Sequence, residues 1–361
     1  MTGADGVAIA AAEKTGPFFM THNAPLEVGI VGLGRMGLRH LEAVQQLGMR
    51  VVGLADPSPA ALEAARKAAP EAETFATGEE MLERLRPAAA VIATTAPYHA
   101  PLVLAAAGSG ARHILCEKPL ASSLAQADEM IAACAAAGAR LAVNHQMRFM
   151  PNYSEVKALI GSESLGPLTS MIVAGSNFGL AMNASHYFEA FRYLTGAEVT
   201  GIQAWLERDT LPNPRGAEFE DRSGRLLAWG KDGATLYIDF SAEAGWGLQV
   251  VYICRYGQVF VDELNGEIRI AAREGEYRDL PTSRYGMPAR IEHARIAPAD
   301  TVAPTVAVWR AMLAGEAWPD GAAGRHALAC LIAAHASHRR GGAAVALDAP
   351  DLPRDEIFPW A

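Results

Sequence analysis

The 361-residue chain contains no run of lysine or arginine longer than two, and 31 basic against 40 acidic residues give it a formal charge of −9. That balance excludes the basic footprint of a nucleic-acid or anionic-membrane partner and points to a small ligand. Cysteine is scarce and scattered: Cys116, Cys134, Cys254 and Cys330 form no CxxC pair. They read as reduced, buried thiols of a cytoplasmic protein, with no disulfide, metal-binding or catalytic role. The stretch Pro87 to Ala111 is free of Asp, Glu, Lys and Arg over a length that could span a bilayer, but Pro97, His99, Pro101 and Gly108-Ser109-Gly110 interrupt it. It divides into a strand (Ala88 to Ala93), a loop and a helix, so no membrane partner is expected. The first 24 residues lack a basic start before an apolar core, which argues against a secretory signal. Residues 1–25 are expected to be a disordered extension with Met20 as a possible initiator, the fold beginning at Leu26.

What is present is most informative at residues 28–37, VGIVGLGRMG, where an apolar run ends in Gly32, Gly34 and Gly37 and a helical pattern follows. The GxGxxG spacing supplies a tight turn, close backbone approach to a pyrophosphate and close helix–strand packing, with the helix N-terminus offering N–H donors. A second apolar strand, Arg50 to Ala55, ends in Asp56, nineteen residues beyond Gly37. An acid there suits the ribose hydroxyls of NAD and repels the extra phosphate of NADP, for which Pro57, Ser58 and Pro59 offer no arginine. A dinucleotide, with NAD preferred to NADP, is the expected cofactor.

From Leu26 to Asn144 apolar strands alternate with helical segments, the pattern of a doubly wound parallel sheet. Strands are expected near 26–31, 50–55, 73–75, 88–93, 112–116 and 140–143, with helices near 36–47, 58–69, 78–85, 99–107 and 122–137. After Pro151 the texture becomes strand-rich, near 168–174, 199–206, 225–230, 234–240, 247–254, 256–263 and 267–271, with Lys231-Asp232-Gly233 and Asn265-Gly266 as hairpin turns. One helix (Tyr153 to Ile160) precedes these runs and another (His186 to Leu194) interrupts them; 208–223 and 273–299 are expected to be loops. Helices near 303–314 and 322–338 precede a short strand, Ala344 to Leu347. The fold class is therefore α/β: a Rossmann-type parallel sheet at 26–145, then an α+β domain at 146–361 built on a large, mainly antiparallel sheet, its last helices able to pack back on the first domain. Such a sheet, apolar on both faces, needs a cover, so a homodimer or homotetramer is expected.

Lys118 lies in Glu117-Lys118-Pro119, directly after the strand His113 to Cys116, which aims its ammonium at the crevice where nicotinamide would lie. With the glycine turn, the acid closing the second strand and the sheet-rich second half, this motif resembles the Gfo/Idh/MocA oxidoreductases, the group of glucose-fructose oxidoreductase and inositol dehydrogenase. Ala93-Thr94-Thr95-Ala96-Pro97-Tyr98-His99, Asn144-His145-Gln146-Met147-Arg148-Phe149 and the segment His186 to Gly196 extend the resemblance over nearly the whole chain from residue 26.

The resemblance implies that Gly32, Leu33, Gly34, Arg35, Met36 and Gly37 line the pyrophosphate and Asp56 the adenosine ribose. Thr94, Pro97 and His99 would flank the nicotinamide half, with Glu117 and Lys118 beside its ribose and the substrate, and a cis Lys118–Pro119 bond. It further implies an NAD-dependent oxidoreductase acting on a secondary alcohol or ketone of a sugar, cyclitol or related polyhydroxy compound, with Lys118 and His186 managing the proton. Members that oxidise polyols usually carry an aspartate four residues before this histidine; here that position is Met182, so the His186 tautomer would depend on another group such as Asn183. His145, Arg148, Tyr153 and Asn183 are candidate substrate contacts; Arg148 equally suits pinning the interdomain linker, and Glu189 suits a structural role. Two alternatives stand beside the dehydrogenase: an enzyme whose NAD recycles within each turnover to drive elimination or glycoside cleavage, and a catalytically silent NAD(P)-binding sensor.

Overall fold

The computed structural model describes residues 24–175, 177–208, 212–245, 247–280, 287–296, 300 and 302–361; the expected extension at 1–25, save Ala24 and Pro25, lies outside them. Six short strands, apolar on both faces as a helix-covered parallel sheet requires, form the first sheet: β1 (Glu27–Val31), β2 (Arg50–Ala55), β3 (Glu73–Phe75), β4 (Ala89–Ile92), β5 (His113–Cys116) and β6 (Arg140–Val143). All pairs are parallel and the order is β3-β2-β1-β4-β5-β6. Strand order therefore reverses between β1 and β4, and a crevice opens there at the carboxyl ends.

Helices α1 (Arg35–Gln46), α2 (Pro59–Ala68), α3 (Gly78–Leu85), α4 (His99–Ser109) and α5 (Leu124–Ala137) connect these strands. Their ends follow capping chemistry: Ser58, Thr77 and Ser123 accept the N–H groups of Ala61, Glu80 and Gln126, and Gly138 stops α5 with φ +64°. The charge-free stretch resolves into β4, a 3-10 turn at Ala96–Tyr98 and α4. No helix among the described residues is long and apolar enough to cross a membrane.

After α6 (Pro151–Leu159) come β7 (Leu168–Ala174), a π-helical turn at Leu180–Ala184 that runs into α7 (Ser185–Thr195), β8 (Val199–Leu206), β9 (Gly224–Gly230), β10 (Thr235–Phe240), β11 (Gln249–Cys254), β12 (Gly257–Asp262), β13 (Glu267–Ala272) and β14 (Arg290–Arg295). Helices α8 (Ala303–Ala314) and α9 (Gly321–Arg339) precede the short β15 (Val345–Ala346). The second sheet runs β14-β13-β12-β11-β7-β10-β9-β8-β15, antiparallel except for the β7–β10 pair. One expectation is corrected. Segment 273–299 is not all loop, because Arg290–Arg295 adds an antiparallel edge strand to β13. Its charged sequence, RIEHAR, suits an edge that must not recruit further strands.

Alternation along the strands buries one face: β10 buries Leu236, Ile238 and Phe240 while Tyr237 and Asp239 face outward. The buried face packs on α7 and α9, and α9 also touches α5 and β6. Helix α8 sends Val308, Trp309 and Met312 into the core formed by β1, β2 and α1. The last helices thus return to the parallel sheet, where Arg140 donates to the Met312 carbonyl (2.6 Å) and the Val143 N–H to the Pro319 carbonyl (2.8 Å).

Candidate active site at the carboxyl edge of the parallel sheet

The three glycines of the first turn have different surroundings. At Gly32, where φ is +86°, a Cβ would lie 2.6 Å from the Ala93 carbonyl oxygen; at Gly37 it would lie 1.9 Å from the Gly32 oxygen. At Gly34 nothing lies within 4 Å. Two glycines are therefore demanded by packing, while the third leaves open space at the start of α1. That helix has no side-chain cap and no acidic residue in its first turn. An open, uncapped N-terminus beside a free glycine face fits a dinucleotide pyrophosphate. Asp56 lies at the end of β2, its carboxylate accepting N–H bonds from Leu33 (2.7 Å) and Ser58 (2.8 Å). Leu33 has thus already committed its N–H and buries its side chain, so it shapes the turn, whereas carboxylate lone pairs remain for hydroxyl donors.

Next to this turn, Glu117 is 6 % exposed and anchors a buried network. One of its oxygens meets His40 Nε2 at 2.9 Å and accepts from Asn144 Nδ2 at 2.8 Å; the other accepts the Lys118 N–H at 3.2 Å. Burial alone would raise its carboxyl, but the His40 hydrogen bond, the Lys118 charge and Asn144 outweigh it and hold Glu117 well below the usual carboxylate range. The Lys118–Pro119 bond is cis. Lys118 Nζ donates to the Met182 carbonyl at 2.5 Å. Burial pulls this lysine from its ordinary value down to about 8; Arg215 and Arg35 add to the fall, while Glu117 and Asp221 oppose it.

Facing Lys118 are two imidazoles, His145 from the end of β6 and His186 from the first turn of α7, with ring centroids 5.5 Å apart in an edge-to-face pair. Both His145 nitrogens and His186 Nδ1 are buried without a hydrogen-bond partner, as are Thr94 Oγ1 and Gln146 Oε1. Burial first, then the Lys118 charge, draws His145 down to about 3 and His186 well below its usual value, so both rings are neutral. Buried, unpartnered imidazole nitrogens beside a lysine mark a site built to receive polar groups. The neighbour of His186 is His145 rather than Asn183, which is half-buried and donates its own N–H to the Gly179 carbonyl.

Three expected site residues face elsewhere. His99 is 1 % exposed and places Nδ1 2.9 Å from the Pro119 carbonyl and Nε2 3.1 Å from that of Thr94. Both ring nitrogens thus face carbonyl oxygens of the crevice walls, the single N–H of the neutral ring donating to one of them, and neither is turned toward a cofactor. Arg148 pairs with Glu189 at 3.3 Å and lies over the Tyr193 ring, while Arg192 grips the same carboxylate at 2.7 and 3.0 Å, so Arg148 pins the linker to α7. Tyr153 is fully buried with its hydroxyl on Glu263, which also accepts from Tyr187 (2.7 Å) and Asn152 (3.2 Å). Three residues not expected from the sequence also belong to the site. His40 and Asn144 hold Glu117, and Asp221 accepts the N–H groups of Ala181 (2.9 Å) and Met182 (2.7 Å) at the turn that touches Lys118. The sequence cues for Asn144 are its place at the end of β6 and at the head of the Asn144–Phe149 segment that carries the resemblance. For Asp221 there was none.

Residues 26–145 match the Gfo/Idh/MocA family model, described as an oxidoreductase family with an NAD-binding Rossmann fold. An inositol 2-dehydrogenase from Pseudarthrobacter chlorophenolicus is 31% identical over 238 residues, covering 62% of this chain and 69% of that protein. Inositol 2-dehydrogenase 4 from Saccharopolyspora erythraea is 31% identical over 250 residues, covering 63% of this chain and 70% of the relative. An oxidoreductase from Agrobacterium radiobacter, crystallised with NAD+, L-tartaric acid and magnesium, superposes with a TM-score of 0.75 at 18% identity, covering 90% of this chain and 99% of that one. That last likeness concerns the fold alone.

Proposed function

The chain belongs to the Gfo/Idh/MocA oxidoreductases, an NAD-binding family, and from that premise we propose that it transfers a hydride between nicotinamide and a secondary alcohol or ketone of a sugar, cyclitol or related polyhydroxy compound. The observation that carries this reading is the convergence of a lysine held near about 8 with unpartnered, buried imidazole nitrogens at one crevice beside the glycine turn. NAD, when bound, supplies the hydride acceptor. Gly34 and the start of α1 receive its pyrophosphate and Asp56 its adenosine ribose, while Glu117 remains anionic next to Lys118. The proton of a substrate hydroxyl is taken by the neutral Lys118 amine, and a lysine tuned near the working pH can both take and return it. His186 and His145, both neutral, donate or accept at neighbouring hydroxyls, and Thr94 and Gln146 add polar contacts. A dry site makes each of these contacts stronger.

A polyhydroxy substrate accords with the inositol dehydrogenases among the relatives. The experiment is to give purified protein NAD and a panel of cyclitols, sugars and sugar acids. Net NADH absorbance supports a dehydrogenase, whereas turnover without NADH accumulation supports the recycling alternative. The outer face of the second sheet, with Tyr237, Ile172, Val251, Ile253 and Phe260 side by side on β10, β7, β11 and β12, is proposed as the surface on which a second copy of the chain packs.

A further inference from the structure

We propose that Asp221 is a positioning residue for Lys118, reaching in from the loop between β8 and β9 to seat the turn whose Met182 carbonyl holds the lysine ammonium. The geometry is a relay of three groups. Both Asp221 oxygens are used, one on the Ala181 N–H and one on the Met182 N–H, and the carbonyl of that same Met182 accepts from Lys118 Nζ. The end of the loop that leads into β9 is fastened on both sides of Asp221: the Leu180 N–H donates to the Arg222 carbonyl (2.9 Å), the Ser223 hydroxyl to the Phe178 carbonyl (3.1 Å), and the Glu220 N–H to the Pro359 carbonyl (2.8 Å). The fit leaves no slack. A Cβ on Gly179 would lie 2.1 Å from Asp221 Cγ, so the glycine admits the carboxylate.

The placement also answers the absence of an acid at Met182. The Asp221 carboxylate arrives at the backbone of that residue from a segment 39 positions further along the chain. It supplies the crevice with a negative charge that favours the ammonium form of Lys118, while its hydrogen bonds stiffen the π-helical turn leading into α7 and His186. Burial raises Asp221 to about 6, against the opposing effect of its two backbone hydrogen bonds and the Lys118 charge. The other charged or titratable groups whose fields reach Lys118 are Glu117, Arg215, Arg35, His145 and His186. Glu117 is held well below the carboxylate range, burial and the Lys118 charge draw His145 down to about 3, and the same two causes draw His186 well below its ordinary value. This deepens the dehydrogenase reading and rests on it for the effect on turnover, but the coupling between Asp221 and Lys118 is measurable without a substrate.

The chain has five lysines, Lys14, Lys67, Lys118, Lys157 and Lys231, so lysine-selective 13C labelling gives a resolvable NMR titration, with Lys118 assigned through K118R. In the wild-type protein the Lys118 signal should show its own step near about 8 and a smaller one near about 6 as Asp221 protonates. In D221N the smaller step should vanish and the main midpoint should fall by about half a unit, because an opposing charge is gone. kcat should drop about tenfold while NAD affinity stays within about twofold. A wild-type curve without the lower step, or a D221N midpoint and kcat equal to wild type, would overturn the proposal. Should D221N fail to fold, the wild-type titration decides alone. If no polyol is turned over by the wild type, the substrate reading falls while the titration still reports on Asp221.

Discussion

Glu117, Lys118 and Asp56 show how single side chains acquire roles from neighbours far along the chain. Glu117 and Lys118 were legible because their motif sits immediately after a short apolar strand, and Asp56 because it closes another. His40 and Asp221 were not: His40 is separated from Glu117 by 77 positions and Asp221 from Met182 by 39, and no local period records a pairing made only by the tertiary fold. Arg148 and Tyr153 were visible as polar residues near the sixth strand, but only the structure supplies the buried acids, Glu189 and Glu263, that claim them. Asp56→Ala should weaken NAD by about tenfold, the loss expected for a hydrogen bond to a charged group, and raise the NADP-to-NAD affinity ratio. Titration of both cofactors by quenching of intrinsic fluorescence measures this, and an unchanged ratio would remove Asp56 from the ribose site.

Among the elements, the glycine turn and its helix separate two demands that one motif imposes. Gly37 is required for packing, since a Cβ there meets the Gly32 oxygen at 1.9 Å, whereas Gly34 faces open space. Gly37→Ala should therefore cost about 2 kcal/mol or more in chemical denaturation. Gly34→Ala should leave stability within about 0.5 kcal/mol yet weaken NAD strongly, because the added methyl group occupies the phosphate approach. Equal effects of the two substitutions on stability would contradict this division. Elements with a clear apolar period and a cap were legible to within a few residues, as with α5 between Ser123 and Gly138. Strand β14 was not, because Arg290, Glu292, His293 and Arg295 give an edge strand the look of a polar loop. The turn at Leu180–Ala184 was also hidden, since its shape depends on Asp221.

At the scale of the whole molecule, the parallel sheet furnishes the crevice, the mixed sheet furnishes a wall through the π-helical turn and α7, and α8 and α9 bind the two sheets together. The alternation of strands and helices made the first sheet legible and the strand-rich runs with their hairpin turns the second, but the parallel β7–β10 pair inside the second sheet depends on the long connection between them and left no local signal. The outward-facing apolar residues of that sheet predict an oligomer: Tyr237→Glu combined with Phe260→Glu should convert a dimer or tetramer to monomer in sedimentation velocity, with the circular dichroism spectrum retained. A wild-type monomer at micromolar concentration would remove that surface from consideration. The central claim, that Lys118 moves the proton while the neighbouring glycine turn holds NAD, is tested most directly by the pH dependence of NADH formation in wild type and Lys118→Met. Because the amine must be neutral to accept a proton, the wild-type oxidation rate should rise with pH through about 8 and then level off. Lys118→Met should lose that limb and about a thousandfold or more in kcat while binding NAD nearly as well. A variant that kept the wild-type rate and pH profile would contradict the assignment of Lys118.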